Sequence, residues 1–194
     1  MLASILAETR VDAQDNLDSR SDLQLIAAMN AGDAAAFEVL YFRHRDWVVG
    51  LALRFTGSED LALDVMQETF LYFLKKFPGF RLTANLKTFL YPAVKNLAIA
   101  AQRKARRYQS TEGTQDFLDH IADVPQSKAN ELGAVIANLP EGQREVLWLR
   151  FVDGLSLAEI ADARNIPLGT VKSRLHNALA TLRADGRTKE FFDQ

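Results

Sequence analysis

The sequence contains no cysteine, which excludes disulfides and thiolate metal sites. It also lacks any apolar run approaching the roughly 20 residues that a membrane-spanning helix needs. Its opening, "MLASILAETR", is briefly apolar but has no basic lead and soon turns acidic, so no signal peptide is expected. No stretch sustains the alternation and β-branched enrichment of a strand. The three histidines are scattered and give no metal-ligand spacing. No nearby histidine, Gly-rich loop or metal-ligand spacing accompanies Asp64 and Glu68, so a catalytic carboxylate pair is not expected there. These absences lead to the expectation of a cytoplasmic, non-enzymatic protein without metal or cofactor and without membrane insertion.

What is present is a foldable composition, 48% hydrophobic and 25% charged, in 194 residues, enough for one domain or two small ones. The net charge of -2 conceals a strong segregation. Residues 1–22 carry -3, residues 23–107 carry +5, residues 108–132 carry -4 and residues 133–194 are neutral. A basic block between acidic ones suits a polyanion partner, although on charge alone a solvated face explains it better.

The apolar spacing reads as helix almost throughout. Asp33 can cap a helix in which Phe37, Leu40, Tyr41, His44, Trp47, Val48, Leu51 and Phe55 recur at helical intervals. After "TGSED", Ser58 opens a second helix. It has Leu63, Met66, Phe70, Phe73, Leu74 and Phe77 on one side and Asp60, Asp64 and Glu68 on another, and "FPGF" (77–80) stops it. A third helical stretch runs from about Asn85 to Arg107 and ends in "RKARR". Pro92 lies inside it; an interior proline costs about 3 kcal/mol unless the helix kinks or restarts. Tyr91–Pro92 is therefore a candidate break between two helices. His44 and His120 read as ordinary residues, and Trp47 and Trp148 as core.

Periodicity is lost over 108–130, which is polar, acidic and contains Pro125, and this segment reads as a linker. Beyond it, a helix over about 141–153 is ended by Gly154. "SLAE" (156–159) fits a capping box opening a short helix with Leu157, Ile160 and Ala161 inward. Pro167 stands at the start of the last helix, where its missing N–H costs nothing. The fold class is thus all-α: two small helical domains joined by an acidic linker, the C-terminal one a helix-turn-helix. The boundaries are an acidic leader at 1–22, a domain at 23–107, the linker at 108–130 and a second domain at 131–194.

On the last helix Val171, Leu175, Ala178, Leu179 and Leu182 form one apolar stripe. The opposite face presents Gly169, Thr170, Ser173, His176 and Asn177, flanked by Lys172 and Arg174. Small residues let the backbone approach a groove, hydroxyls and amides suit base edges, and the cations suit phosphates. A helical hairpin with a charged exterior remains the plainer alternative on this pattern alone.

"LPEGQREVLWLRFVDGLSLAEIADARNIPLGTVKSRLHNALATLR" (139–183) resembles the C-terminal domain of extracytoplasmic-function sigma factors, small bacterial members of the sigma-70 superfamily. "DLALDVMQETFLYFLKKFPGF" (60–80) is similar to that family's core-polymerase-binding helix, with Asp64, Gln67, Glu68 and Phe70 in the family pattern. "LKTFLYPAVKNLAIAAQRKARR" (86–107) resembles its promoter-melting and promoter-reading helix. The matches fall in family order.

The resemblance implies a sigma factor that binds core RNA polymerase, directs it to specific promoters and assists melting. It implies that the first domain contacts the clamp helices of the largest subunit and reads the minus-ten element. The second would contact the flap of the second-largest subunit and read the minus-thirty-five element. It admits an anti-sigma factor as a further partner.

In the first domain it implies phosphate contacts from Lys95, Arg103, Lys104, Arg106 and Arg107 and a base contact from Asn96. The "RKARR" cations also complement a helix C-terminus, and the two roles are compatible. The loop 78–86 sits where the family captures an extruded base, with Phe80 and Phe89 as the nearby aromatics. Phe89 replaces a usual tryptophan and Pro92 a usual basic residue, so base capture and ordinary core remain open readings for Phe89. In the second domain the resemblance implies DNA contacts from Gly169, Thr170, Lys172, Ser173, Arg174, His176 and Asn177. Relatives often carry arginines where this chain has "NALA" (177–180), which implies weaker phosphate anchoring. The competing reading is a helix-turn-helix transcriptional regulator with a helical sensor domain; it accounts for 139–183 and leaves 60–107 unexplained.

Overall fold

The computed structural model describes residues 18–111 and 128–188, with side chains over 18–107 and 132–188. The first 17 residues of the leader, the linker core at 112–127 with His120, and 189–194 lie outside the described residues. The described residues form eight helices and no strand.

The first helix, α1 (Asp22–Asn30), opens on a capping box: Ser21 Oγ accepts from Gln24 N, and the Gln24 side chain accepts from Ser21 N. It buries Leu25 and Ile26. In α2 (Ala34–Thr56) the Asp33 carboxylate accepts from Ala35 N and Ala36 N. Gly57 at φ 67° closes that helix in the left-handed region, where glycine has no Cβ to strain. Ser58 caps α3 (Glu59–Leu74), accepting from Leu61 N.

Along α3 the buried positions are Ala62, Val65, Met66, Thr69, Phe70 and Phe73. Leu63, expected inward, is 46% exposed. It lies one step, roughly 100°, beyond Ala62, which is far enough to leave a stripe this narrow.

The next helix, α4 (Leu86–Thr111), runs unbroken through Pro92, so the break expected at Tyr91–Pro92 does not occur. Pro92 itself is exposed, while Leu90, Tyr91, Val94 and Ala98 are buried on either side of it. That packing holds both halves of the helix in place across the one lost hydrogen bond. The helix also takes the first four residues, 108–111, of the segment read as linker.

The C-terminal helices are α5 (Lys128–Ala137), α6 (Glu141–Phe151), α7 (Leu157–Arg164) and α8 (Leu168–Ala184). The foreseen capping box is present: Glu159 N donates to Ser156 Oγ and Ser156 N to the Glu159 carboxylate. Val152, rather than Gly154, caps α6, and Gly154 supplies the following bend at φ 75°. Asn165 ends α7 in the left-handed region (φ 50°, ψ 50°), and Pro167 becomes the N-cap of α8, one place earlier than read.

One buried cluster runs from Leu40, Val48, Phe73 and Leu90 through to Val146, Leu149, Leu155, Ile160 and Val171. A second, smaller one joins Val135, Leu139, Leu147, Ala178 and Leu182. The shared cluster seats α7 directly against α4.

Candidate polymerase- and promoter-binding surfaces

Asp64, Gln67 and Glu68 all lie exposed on the outer side of α3. Leu63 and Leu71, 46% and 48% exposed, flank them and give the face a mixed apolar and acidic character. Phe70 is not part of this face. It is 3% exposed, and its ring meets Phe37 and Tyr41 edge-on at centroid distances of 6.2 and 4.8 Å. It supports the helix from behind, because residue 70 falls on the same buried stripe as Met66 and Phe73.

The segment between α3 and α4 is fixed by a residue that periodicity did not single out. Asn30, the last residue of α1, donates through Nδ2 to Phe80 O at 2.8 Å. Its Oδ1 accepts from Gly79 N at 2.6 Å and Phe80 N at 3.1 Å. Phe80 and Phe89 are both half-buried, with ring centroids 4.6 Å apart, and both lie against Phe73. At the start of α4, the Asn85 side chain accepts from Lys87 N at 2.9 Å.

The candidate DNA-contacting residues of α4 divide in two. Asn96, Arg103, Lys104, Arg106 and Arg107 are exposed, and Ala100, Arg103, Lys104 and Arg107 line one shallow depression. Lys95 turns the other way. Its Nζ donates to both carboxylate oxygens of Glu145 on α6, at 2.9 and 3.2 Å. Glu145 is buried and also pairs with Arg164. Burial, then the Arg164 charge, pushes the Lys95 ammonium below its ordinary value. Burial raises the Glu145 carboxyl, with Arg164 opposing. Each charge is thus less favourable there than in water despite the pairing.

On α8 the stripe is inward: Val171, Ala178 and Leu182 are buried, and Leu175 and Leu179 half-buried. Gly169, Lys172, Ser173, His176 and Asn177 are exposed and Thr170 is half-buried. Ser173 Oγ donates to Thr170 O at 3.1 Å, leaving its lone pairs outward. Arg174 departs from expectation. Its guanidinium lies flat on α6 at Gly142, where an added Cβ would fall 3.1 Å from Cζ. Nη1 is buried without a hydrogen-bond partner, and its charge acts on Glu145. Arg174 is half-buried and packs its guanidinium between α8 and α6, because its position on α8 faces α6.

Residues 40–108 match the sigma-70 region 2 family, and residues 129–182 match sigma-70, region 4. The chain is 31% identical over 173 residues to the ECF RNA polymerase sigma factor SigW of Bacillus subtilis (strain 168), covering 81% of this chain and 92% of that protein. The chain belongs to the extracytoplasmic-function sigma factors. The sigma-H factor of Pseudomonas aeruginosa is 31% identical over 177 residues, covering 84% of this sigma factor and 92% of its relative. A solved structure of the sigma factor RpoE with the anti-sigma factor NepR, from Bartonella quintana, shares the fold. Its TM-score is 0.57 at 24% identity, over 76% of this chain and 94% of that one. The family consists of non-enzymatic initiation factors, and as a member this sigma factor directs RNA polymerase to promoters. A helix-turn-helix regulator with a separate sensor domain does not account for the region 2 match at 40–108. No helix among the described residues is long and apolar enough to cross a membrane.

Proposed function

We propose that this sigma factor works in the cytoplasm as a two-part promoter reader, with a first domain at 23–107, a linker at 108–130 and a second domain at 131–194. It assists promoter melting and uses no catalytic residue or cofactor of its own. The exposed Asp64, Gln67 and Glu68 of α3 meet the clamp helices of the largest polymerase subunit, and the second domain meets the flap of the second-largest. Asn96 reads a base of the minus-ten element, while Arg103, Lys104, Arg106 and Arg107 hold phosphates beside it. Lys95 joins them once it is released from Glu145. Phe80 and Phe89 lie beside the path of the separated strand. On α8, Gly169 and Thr170 admit the backbone to the major groove, Ser173, His176 and Asn177 meet base edges, and Lys172 meets phosphate.

The observation that carries this reading is the division of α8, whose polar residues are exposed along one side while its apolar stripe is buried along the other. The complex of a related sigma factor with an anti-sigma factor supports a partner of that class here as well. Run-off transcription with purified core polymerase and a promoter library tests the whole reading. Transcripts that depend on this chain are expected. None from any promoter would overturn it.

A further inference from the structure

Tyr72, near the end of α3, is 38% exposed and packs its ring on Phe89, with the planes nearly parallel (16°) and the centroids 6.0 Å apart. Through Phe89 it joins the rings of Phe73, Phe77 and Phe80. Phe73 is buried and Phe77, Phe80 and Phe89 are half-buried, so Tyr72 is the outermost ring of the group. What covers it is a cation: Lys76 Nζ stands 4.4 Å from its centroid.

The chain changes sign at this point. Residues 59–68 carry four carboxylates and no cation, whereas residues 69–111 carry nine cations and no carboxylate. Tyr72 stands eight positions after Asp64, roughly 80° further round the helix. It therefore lies at the edge of the acidic face, on the side that meets α4 through Phe89. An exposed ring with the exposed cations Lys75, Lys76 and Arg81 close to it in the chain has the chemistry of a stacking platform for single-stranded nucleic acid.

We infer that Tyr72 is a further strand-contacting residue of the first domain. One base of the separated strand stacks on the ring face that Lys76 now covers, and Lys76 moves to the adjoining phosphate. This rests on the proposed placing of Phe80 and Phe89 beside that strand. The exchange is favourable in both halves. An exposed cation–π contact is weak, a stacked base is the stronger neighbour for the same ring, and Lys76 trades a ring face for a phosphate. Because every base has a π-face, Tyr72 adds affinity for melted DNA without adding sequence preference. It adds nothing to duplex binding, where the bases stack on one another.

The test uses the full-length chain and a mixed-sequence single-stranded DNA of twelve nucleotides, so it needs neither a known promoter nor transcription. Tyr72→Leu keeps apolar bulk against Phe89 but offers no aromatic face. It should weaken single-strand binding about tenfold, the size of one stacked base, and leave duplex binding, core-polymerase affinity and circular dichroism unchanged. Tyr72→Phe keeps the ring and should bind as the unaltered chain does. Lys76→Gln should lower the single-strand salt slope by about 0.7, one phosphate's share, while Tyr72→Leu leaves the slope alone. Strand carrying 5-iododeoxyuridine should photocrosslink to Tyr72.

Single-strand affinity that is absent, or unchanged by Tyr72→Leu, overturns the proposal. An equal loss with Tyr72→Phe does so too, because the ring would then not be what binds. A loss of core-polymerase affinity with strand binding intact also overturns it and puts Tyr72 in the polymerase contact. A chain that transcribes but binds single strands independently of Tyr72 defeats this inference alone. One that binds strands through Tyr72 but starts no transcript defeats the proposed function alone.

Discussion

Asn30 holds both backbone polar groups of Phe80, donating to its carbonyl at 2.8 Å and accepting from its amide at 3.1 Å. The end of α1 thereby positions the segment that enters α4. Asn30→Ala leaves those groups to solvent at a cost of about 1 kcal/mol, the low end for a lost partner because the site is partly wet. If this segment handles the separated strand, the variant should initiate poorly on a duplex promoter and recover on a template carrying a pre-melted bubble. Paired run-off assays measure this. An equal loss on both templates would place the defect in polymerase binding or in the fold.

Charge and packing on α3 should separate cleanly. Asp64→Lys with Glu68→Lys changes only exposed positions and should weaken core-polymerase binding in titration while helicity is unchanged. Phe70→Ala removes a ring that is 3% exposed and should cost about 3–5 kcal/mol in thermal or denaturant unfolding. Unaltered polymerase affinity after the charge reversal would remove Asp64 and Glu68 from the contact.

On α8, replacing Ser173 or Asn177 should alter minus-thirty-five preference by roughly 1–3 kcal/mol per lost base contact. Lys172→Ala should weaken binding to all sequences and reduce the salt slope by about one phosphate's share. Arg174→Ala should instead lower unfolding temperature and leave the salt slope unchanged, because its guanidinium lies against Gly142. Asn96 variants should shift minus-ten preference only. Promoter-library transcription at two salt concentrations reads the preferences and salt slopes, thermal unfolding reads the Arg174 effect, and a shift by Asn96 and Asn177 variants at the same element would refute the two-part reading.

Acid should loosen α1 from α2. Burial pushes the Asp22 carboxyl upward, but hydrogen bonds from His44 and Arg43 outweigh it and leave it below its ordinary 3.8. A carboxylate depressed on folding stabilises the native state above its unfolded value and loses that contribution as pH falls through the folded one. Unfolding free energy should therefore drop as pH falls below about 4, and Asp22→Asn should flatten that part of the profile. An identical acid profile for the variant would show that the pair contributes nothing.

Local signals were the legible ones. Asp33, Ser58 and the Ser156–Glu159 box announced their helices because capping chemistry lies within three residues of the cap. The stripe of α8 was readable because seventeen residues repeat it several times. At nine residues α1 is too short to show a period, although its own Ser21–Gln24 box was there to be read. Periodicity had put Phe70 on the apolar side of its helix and only the family pattern made it a polymerase contact, while Arg174 was set at the flank of the exposed face by helical spacing, where a small rotation decides between outside and inside. The contacts of Lys95 with Glu145 and of Arg54 with Asp153 join residues 50 and 99 positions apart, and no local pattern encodes such pairings.

Two sets of residues on α8 do not overlap. Val171, Ala178 and Leu182 hold the helix in place, while Ser173, His176 and Asn177 touch nothing the core requires. On the proposed reading, the outward residues are an address that can be rewritten without unsealing the envelope. Exchanges at 173, 176 and 177 should stay within about 0.5 kcal/mol of the original stability while redirecting the polymerase to other DNA. A duplicated copy of this chain therefore has a short route to a new set of promoters, through mutations that its fold scarcely registers.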